Sequence, residues 1–206
     1  MANFSDGIYP VQNLGGAVSF PVGFQIEESG QTAVGGTPVM VKAADGGLQA
    51  WDGATLPGIA GILAELQFNN LGSTGLGAPV GFSPILGAGS VVGNYSANPN
   101  QPSAVITPPM VPMSDGRLRF WIASPGTVFI AKLGTSTTNT PVATANTQVG
   151  TAAGLTKDPG NNFWYVDTNK SNSVQIVALS PLEAVGTVGG HVFFVFLPTA
   201  VAQIYA

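Results

Sequence analysis

The chain has 206 residues, enough for one sizeable core, no cysteine, and a formal net charge of −4 from six Lys or Arg and ten Asp or Glu. These figures exclude disulfide staples, zinc–thiolate centres and thiol nucleophiles, and leave too few cations to grip a nucleic-acid backbone. Charged residues make up 8 % of the chain, against about 25 % in an ordinary soluble domain. Two runs, 66–114 and 133–156, carry no charged side chain at all. Charge keeps free surfaces apart, so a chain this poor in it is expected to cover much of its surface with neighbours.

Residues 1–7 lack the basic and apolar regions of a secretory signal, and residues 1–22 read as an N-terminal arm. The rest, 23–206, reads as a single β domain. Twenty-eight Gly and sixteen Pro punctuate the chain without forming a repeat. Between them lie short runs rich in Val, Ile, Phe, Tyr, Trp and Thr, the pattern of an all-β domain of many short strands.

In chain order, strands are predicted at 22–26, at 38–42 before the turn Asp45-Gly46-Gly47, at 48–51 before Asp52-Gly53, and over 59–66. Residues 69–114, punctuated by Pro99, Pro102, Pro108, Pro109 and Pro112, read as a long extended loop or arm. Arg117–Ile122 and Thr127–Lys132 read as two arms of a hairpin, with Ser124-Pro125-Gly126-Thr127 as a type II turn in which Gly126 takes positive φ. Residues 134–156 read as a second long loop. Strands follow at 163–166, after the turn Asp158-Pro159-Gly160, and at 174–179. The sequence Ser180-Pro181-Leu182-Glu183 is a capping box with Pro at the first helical position, and predicts one short helix stopped at Gly186. The apolar stretch 192–205 is interrupted by Pro198 and Thr199 and is too short for a spanning helix of about 20 residues. It reads as a strand, and in 192–197 both faces are apolar, so one face meets either the rest of the chain or another subunit.

Candidates for chemistry are few. Four of six aspartates precede Gly and a fifth precedes Pro, so most acids belong to turns, leaving Asp167 and the glutamates. Glu27 and Glu28 are adjacent and point to opposite strand faces. His191 is the lone histidine, follows Gly189-Gly190, and reads as a strand-end or interface residue. No nucleophile elbow occurs, and Gly87–Gly93 has the wrong spacing for a dinucleotide loop. The expectation is therefore no catalytic residue, no metal site and no cofactor.

Two regions resemble the small decoration, or cement, proteins that bind the capsids of tailed bacteriophages. One runs from Gly35-Gly36-Thr37-Pro38-Val39-Met40-Val41-Lys42 through Ala50-Trp51-Asp52-Gly53-Ala54 to Pro57-Gly58-Ile59-Ala60-Gly61-Ile62-Leu63. The other is 161–197, where Tyr165-Val166-Asp167-Thr168-Asn169 and Gly189-Gly190-His191-Val192-Phe193-Phe194 are similar to phage head proteins. The resemblance implies a non-catalytic virion protein, assembled in the host cytoplasm, that binds itself, often as a homotrimer, and a major capsid protein, with neither nucleic acid nor membrane as partner. The fold expected is a β-barrel or β-sandwich of short antiparallel strands with extended arms and at most one short helix. Aromatic anchors dominate interfaces, which selects Phe4, Tyr9, Phe82, Tyr95 and Tyr205 as contact residues. The alternative is a carbohydrate-binding β module presenting Trp51, Trp121 or Trp164 on an exposed face.

Overall fold

The computed structural model describes residues 7–14, 20–26, 35–42, 46–64, 117–160 and 163–202. The expected all-β class is observed. Twelve strands occur among these residues: β1 (Tyr9–Asn13), β2 (Val22–Ile26), β3 (Pro38–Val41), β4 (Leu48–Ala50), β5 (Gly61–Leu63), β6 (Arg117–Ile122), β7 (Thr127–Thr135), β8 (Thr140–Pro141), β9 (Ala152–Lys157), β10 (Trp164–Asp167), β11 (Val174–Leu179) and β12 (His191–Phe196).

Five strands close on themselves. β7 pairs with β12, β12 with β11, β11 with β9, β9 with β10, and β10 returns to β7, the last pairing parallel and the rest antiparallel. The result is a five-stranded β-barrel. Closure removes the exposed edges that make apolar strands aggregate. The period of two then decides what fills the barrel. Phe129, Ala131 and Leu133 of β7 point inward and are fully buried, as are Val192, Phe194 and Phe196 of β12. Leu155, Val166, Val174 and Ile176 complete the lining. Phe129, Phe194 and Phe196 form a ring triad with centroids 5.2–5.9 Å apart, and small Ala131 and Ala153 leave the room that three rings need.

β1 lies on the outside of β7 as an added edge strand, bulged between Pro10 and Gln12. Pro lacks an N–H, so a bulged edge is where a strand tolerates it. Residues 9–13 of the expected N-terminal arm are thus paired in the sheet. The remaining strands form an antiparallel sheet in the order β2-β6-β5-β3-β4. One face of it, with Ile62, Trp121 and Met40, joins the barrel cluster, together with Trp51 and Ile59. The other face holds a second cluster of Val39, Leu48, Ala60, Leu63 and Phe120. Gly61 sits where a Cβ would lie 2.1 Å from the Trp121 carbonyl oxygen, so only glycine allows β5 and β6 to approach.

Four sequence expectations need correction. Residues 117–132 are not a hairpin: β6 belongs to the second sheet and β7 to the barrel. The Ser124–Thr127 turn is a corner between sheets, closed by Thr127 N–H donating to Ser124 O at 3.2 Å. Gly126 does not take the positive φ of a type II turn. Residues 134–156 are not one loop, since they hold the end of β7, all of β8, a 3-10 turn at Asn146–Gln148 and most of β9. Their Thr- and Ala-rich composition hid strands that gain stability from closing the barrel rather than from propensity. Residues 180–186 form turns without a helix, because the Glu183 carboxylate reaches across to β12 instead of back to Ser180. The expected loop at 69–114 lies outside the described residues.

Candidate functional site

One buried polar cluster, one partly buried one and an exposed apolar loop lie on the outside of the barrel. The first cluster centres on Asp167, at the end of β10 and 0 % exposed. Its Oδ1 accepts from the backbone N–H of Ser136 at 3.0 Å and of Asn169 at 2.9 Å, and its Oδ2 accepts from the Thr156 hydroxyl at 2.7 Å. Burial pushes this carboxyl upward, but hydrogen bonds from Ser136, Thr156 and the Asn169 backbone outweigh it and hold the group below its ordinary value. Beside it, Tyr165 donates to Asn139 Oδ1 at 3.1 Å, and Asn139 takes a left-handed φ of 47° that suits its side chain. Burial first, then the carboxylates of Asp167 and Asp158, keep the Tyr165 hydroxyl protonated well above the usual tyrosine range. Asp167 and Tyr165 together pin the 136–139 turn over β10. The cluster is a structural clasp.

The second cluster joins the loop after β11 to the start of β12. Glu183 Oε2 accepts from the His191 backbone N–H at 2.6 Å, and Oε1 lies 2.8 Å from His191 Nδ1. Lys132 stands opposite His191 on β7. Partial burial raises the Glu183 carboxyl, while the backbone and ring bonds of His191, then the charges of His191 and Lys132, lower it to a net depressed value. The Gly189-Gly190 pair makes the approach feasible. Gly189 has φ +68, and a Cβ on Gly190 would lie 2.9 Å from Thr144 Cγ2 and 3.1 Å from Glu183 Oε2.

Glu183 is the one charged residue between Ser180 and Gly190, and the clasp turns it inward. The loop therefore shows solvent its apolar side chains: Leu182 is 92 % exposed, Val188 68 % and Val185 58 %. Backbone bonds to the 142–144 segment hold the second half of the loop, with Gly186 N–H donating to Thr144 O at 2.8 Å and Gly189 N–H to Val142 O at 2.9 Å. This face was not legible in the sequence, where Glu183 looked committed to a helix cap. The tight Gly189-Gly190 pair before a lone histidine was the available signal.

Of the five aromatic contact residues chosen from sequence, Phe4, Phe82, Tyr95 and Tyr205 lie outside the described residues. Tyr9 is half-buried on β1, its ring edge-on to Trp121 at 6.1 Å. All three tryptophans are turned into the fold. Trp51 and Trp164 are buried with ring centroids 5.5 Å apart, and Trp121 is half-buried. Trp51 Nε1 donates to Thr55 O at 2.8 Å, whereas Trp164 Nε1 is buried with no acceptor among the described residues. The Asp52 turn forms as expected, its Oδ1 accepting from Ala54 and Thr55 N–H. Among the described residues no group of three or more His, Asp or Glu is placed to hold a metal ion.

No protein-family description, curated protein or solved structure matches this chain.

Proposed function

We propose that the chain is a structural virion protein, which assembles with copies of itself and docks on the outer surface of a phage capsid. The observation that carries this reading is the 180–190 loop, which projects Leu182, Val185 and Val188 into solvent while its single charge is folded inward. Exposed aliphatic side chains grouped on one loop mark interaction surfaces. The composition points the same way, since 8 % charge gives little electrostatic protection to a free monomer. In the proposed mechanism the barrel is a rigid carrier. Each loop contact is weak, and repetition over an oligomer and a lattice multiplies them.

The alternative, a carbohydrate-binding module, rests on an exposed tryptophan platform. Trp51, Trp121 and Trp164 are the chain's only tryptophans and none is exposed, which takes away its main ground.

The test is co-sedimentation of the purified protein with gradient-banded phage capsids, alongside a glycan panel. Saturation at a fixed copy number per capsid, weakened by Leu182→Asp, supports the reading. Binding that never saturates, or tight binding to a glycan instead, would overturn it.

A further inference from the structure

The first half of the exposed loop is tied to the barrel differently from the second. Residues 186–190 are held by backbone bonds to 142–144 and within the loop. The limb 181–185 lies between Ser180, bonded through its N–H to His191 O at 3.0 Å, and Gly186. Within that limb, the tie to the barrel is the Glu183 carboxylate, which accepts both the backbone N–H and the ring Nδ1 side of His191. The local turn adds weak bonds at 3.3–3.4 Å, from Leu182 N–H to Ser180 Oγ and from Glu183 N–H to Ser180 O. The Ala184 carbonyl accepts from the Thr187 hydroxyl at 2.6 Å and N–H at 3.1 Å, which ties the limb to the rest of the loop but not to the barrel.

We propose that Glu183 and His191 form an acid-released latch that fixes the 181–185 limb, and with it the outward display of Leu182 and Val185.

The chemistry is set by what each partner does on titration. Ionised, the carboxylate is acceptor-only and serves both donors of His191. A neutral imidazole still donates from Nδ1, so the latch survives loss of the histidine charge. A protonated carboxyl gives up one acceptor oxygen and the attraction of the cations facing it. Those cations are His191 on β12 and Lys132 on β7, and no other charged residue lies on the loop itself. The hydrogen bonds favour the ionised form, so the latch holds at neutral pH and opens on acidification, below the ordinary glutamate value of about 4.3. The release is local, because the second half of the loop and the barrel ladders do not depend on this carboxylate. The inference concerns the loop alone and stands or falls separately from the capsid reading.

His191 is the chain's single histidine, so its ring and amide resonances are unambiguous reporters. The test is an NMR titration of the intact protein from pH 7 to pH 3, together with Glu183→Gln at pH 7. In the wild type, the His191 amide proton is expected far downfield at neutral pH. It should move upfield in one acidic step, with the amides of 182–185 following it and those of 192–196 still protected from exchange. Glu183→Gln is expected to reproduce the acid positions at pH 7 and to raise amide exchange in 182–185 by about tenfold or more. The proposal is overturned if the His191 amide shows no acidic step, if the 182–185 and 192–196 amides lose protection together, or if Glu183→Gln leaves the 182–185 limb as protected as the wild type.

Discussion

Replacing Asp167 by Ala removes the acceptor of two backbone N–H groups, Ser136 and Asn169, and of the Thr156 hydroxyl, at a site with 0 % exposure. A buried donor left without a partner costs about 1–3 kcal/mol. The half-buried Thr156 hydroxyl can turn to another acceptor and water can reach the N–H of exposed Asn169, but the Ser136 N–H is partly buried and fixed by the backbone, so Asp167→Ala should lose about 2–3 kcal/mol. Asp167→Asn keeps one oxygen for both N–H groups and offers an amide that donates to the Thr156 oxygen. It forfeits only charge assistance, about 1–2 kcal/mol. Urea unfolding followed by tryptophan fluorescence reads both values, provided the slope m is unchanged. The pH dependence separates charge from shape. The folded carboxyl is held below its ordinary value, so its contribution is complete above the unfolded value of about 3.9 and fades as pH falls through the lower folded value. Asp167→Asn should flatten the stability curve in that acid window. The reasoning is refuted if Asp167→Ala unfolds within about 1 kcal/mol of the wild type, or if Asn costs as much as Ala at pH 7.

Gly61→Ala drives a Cβ to 2.1 Å from the Trp121 carbonyl oxygen, and is expected to cost more than about 3 kcal/mol or to prevent soluble expression. Phe194→Ala empties the centre of the barrel triad and should lower stability by about 3–5 kcal/mol in the same urea assay. Trp51→Phe gives up the bond to the Thr55 carbonyl, whereas Trp164→Phe removes an N–H that has no acceptor among the described residues. The second should therefore be the milder change, and equal losses would contradict the hydrogen-bond assignments. Leu182→Ser alters a side chain 92 % exposed, so melting should stay within about 0.5 kcal/mol of the wild type while self-association weakens.

The strands that the sequence displayed most clearly are those whose side chains alternate or pack densely. β11 and β12 fall within one residue of expectation because Val174–Leu179 and Val192–Leu197 are apolar runs bounded by turns. In β12 the two apolar faces resolve into Val192, Phe194 and Phe196 inside and half-buried Phe193 and Val195 outside. What the sequence concealed was pairing. The run from Arg117 to Lys132 satisfies every local rule for a hairpin, yet β6 finds its partners in β2 and β5, and β7 in β1 and β12. Tertiary burial decided between two arrangements that local chemistry could not separate. The polar clusters were hidden for a similar reason. Asp167 meets Ser136 across 31 residues and Thr156 across 11, separations at which no short motif operates. Glu183 carried a convincing helix signature, and the donors of His191 drew its carboxylate away.

The central claim is that this barrel works as one copy among several, held through weakly charged, apolar surface. Light scattering of the purified protein over a hundredfold range of concentration tests it most directly. A closed oligomer, with a trimer as the expected mass, that persists on dilution and is weakened by Leu182→Asp is the predicted result. A compact monomer across the whole range, unchanged by that substitution, would contradict the account.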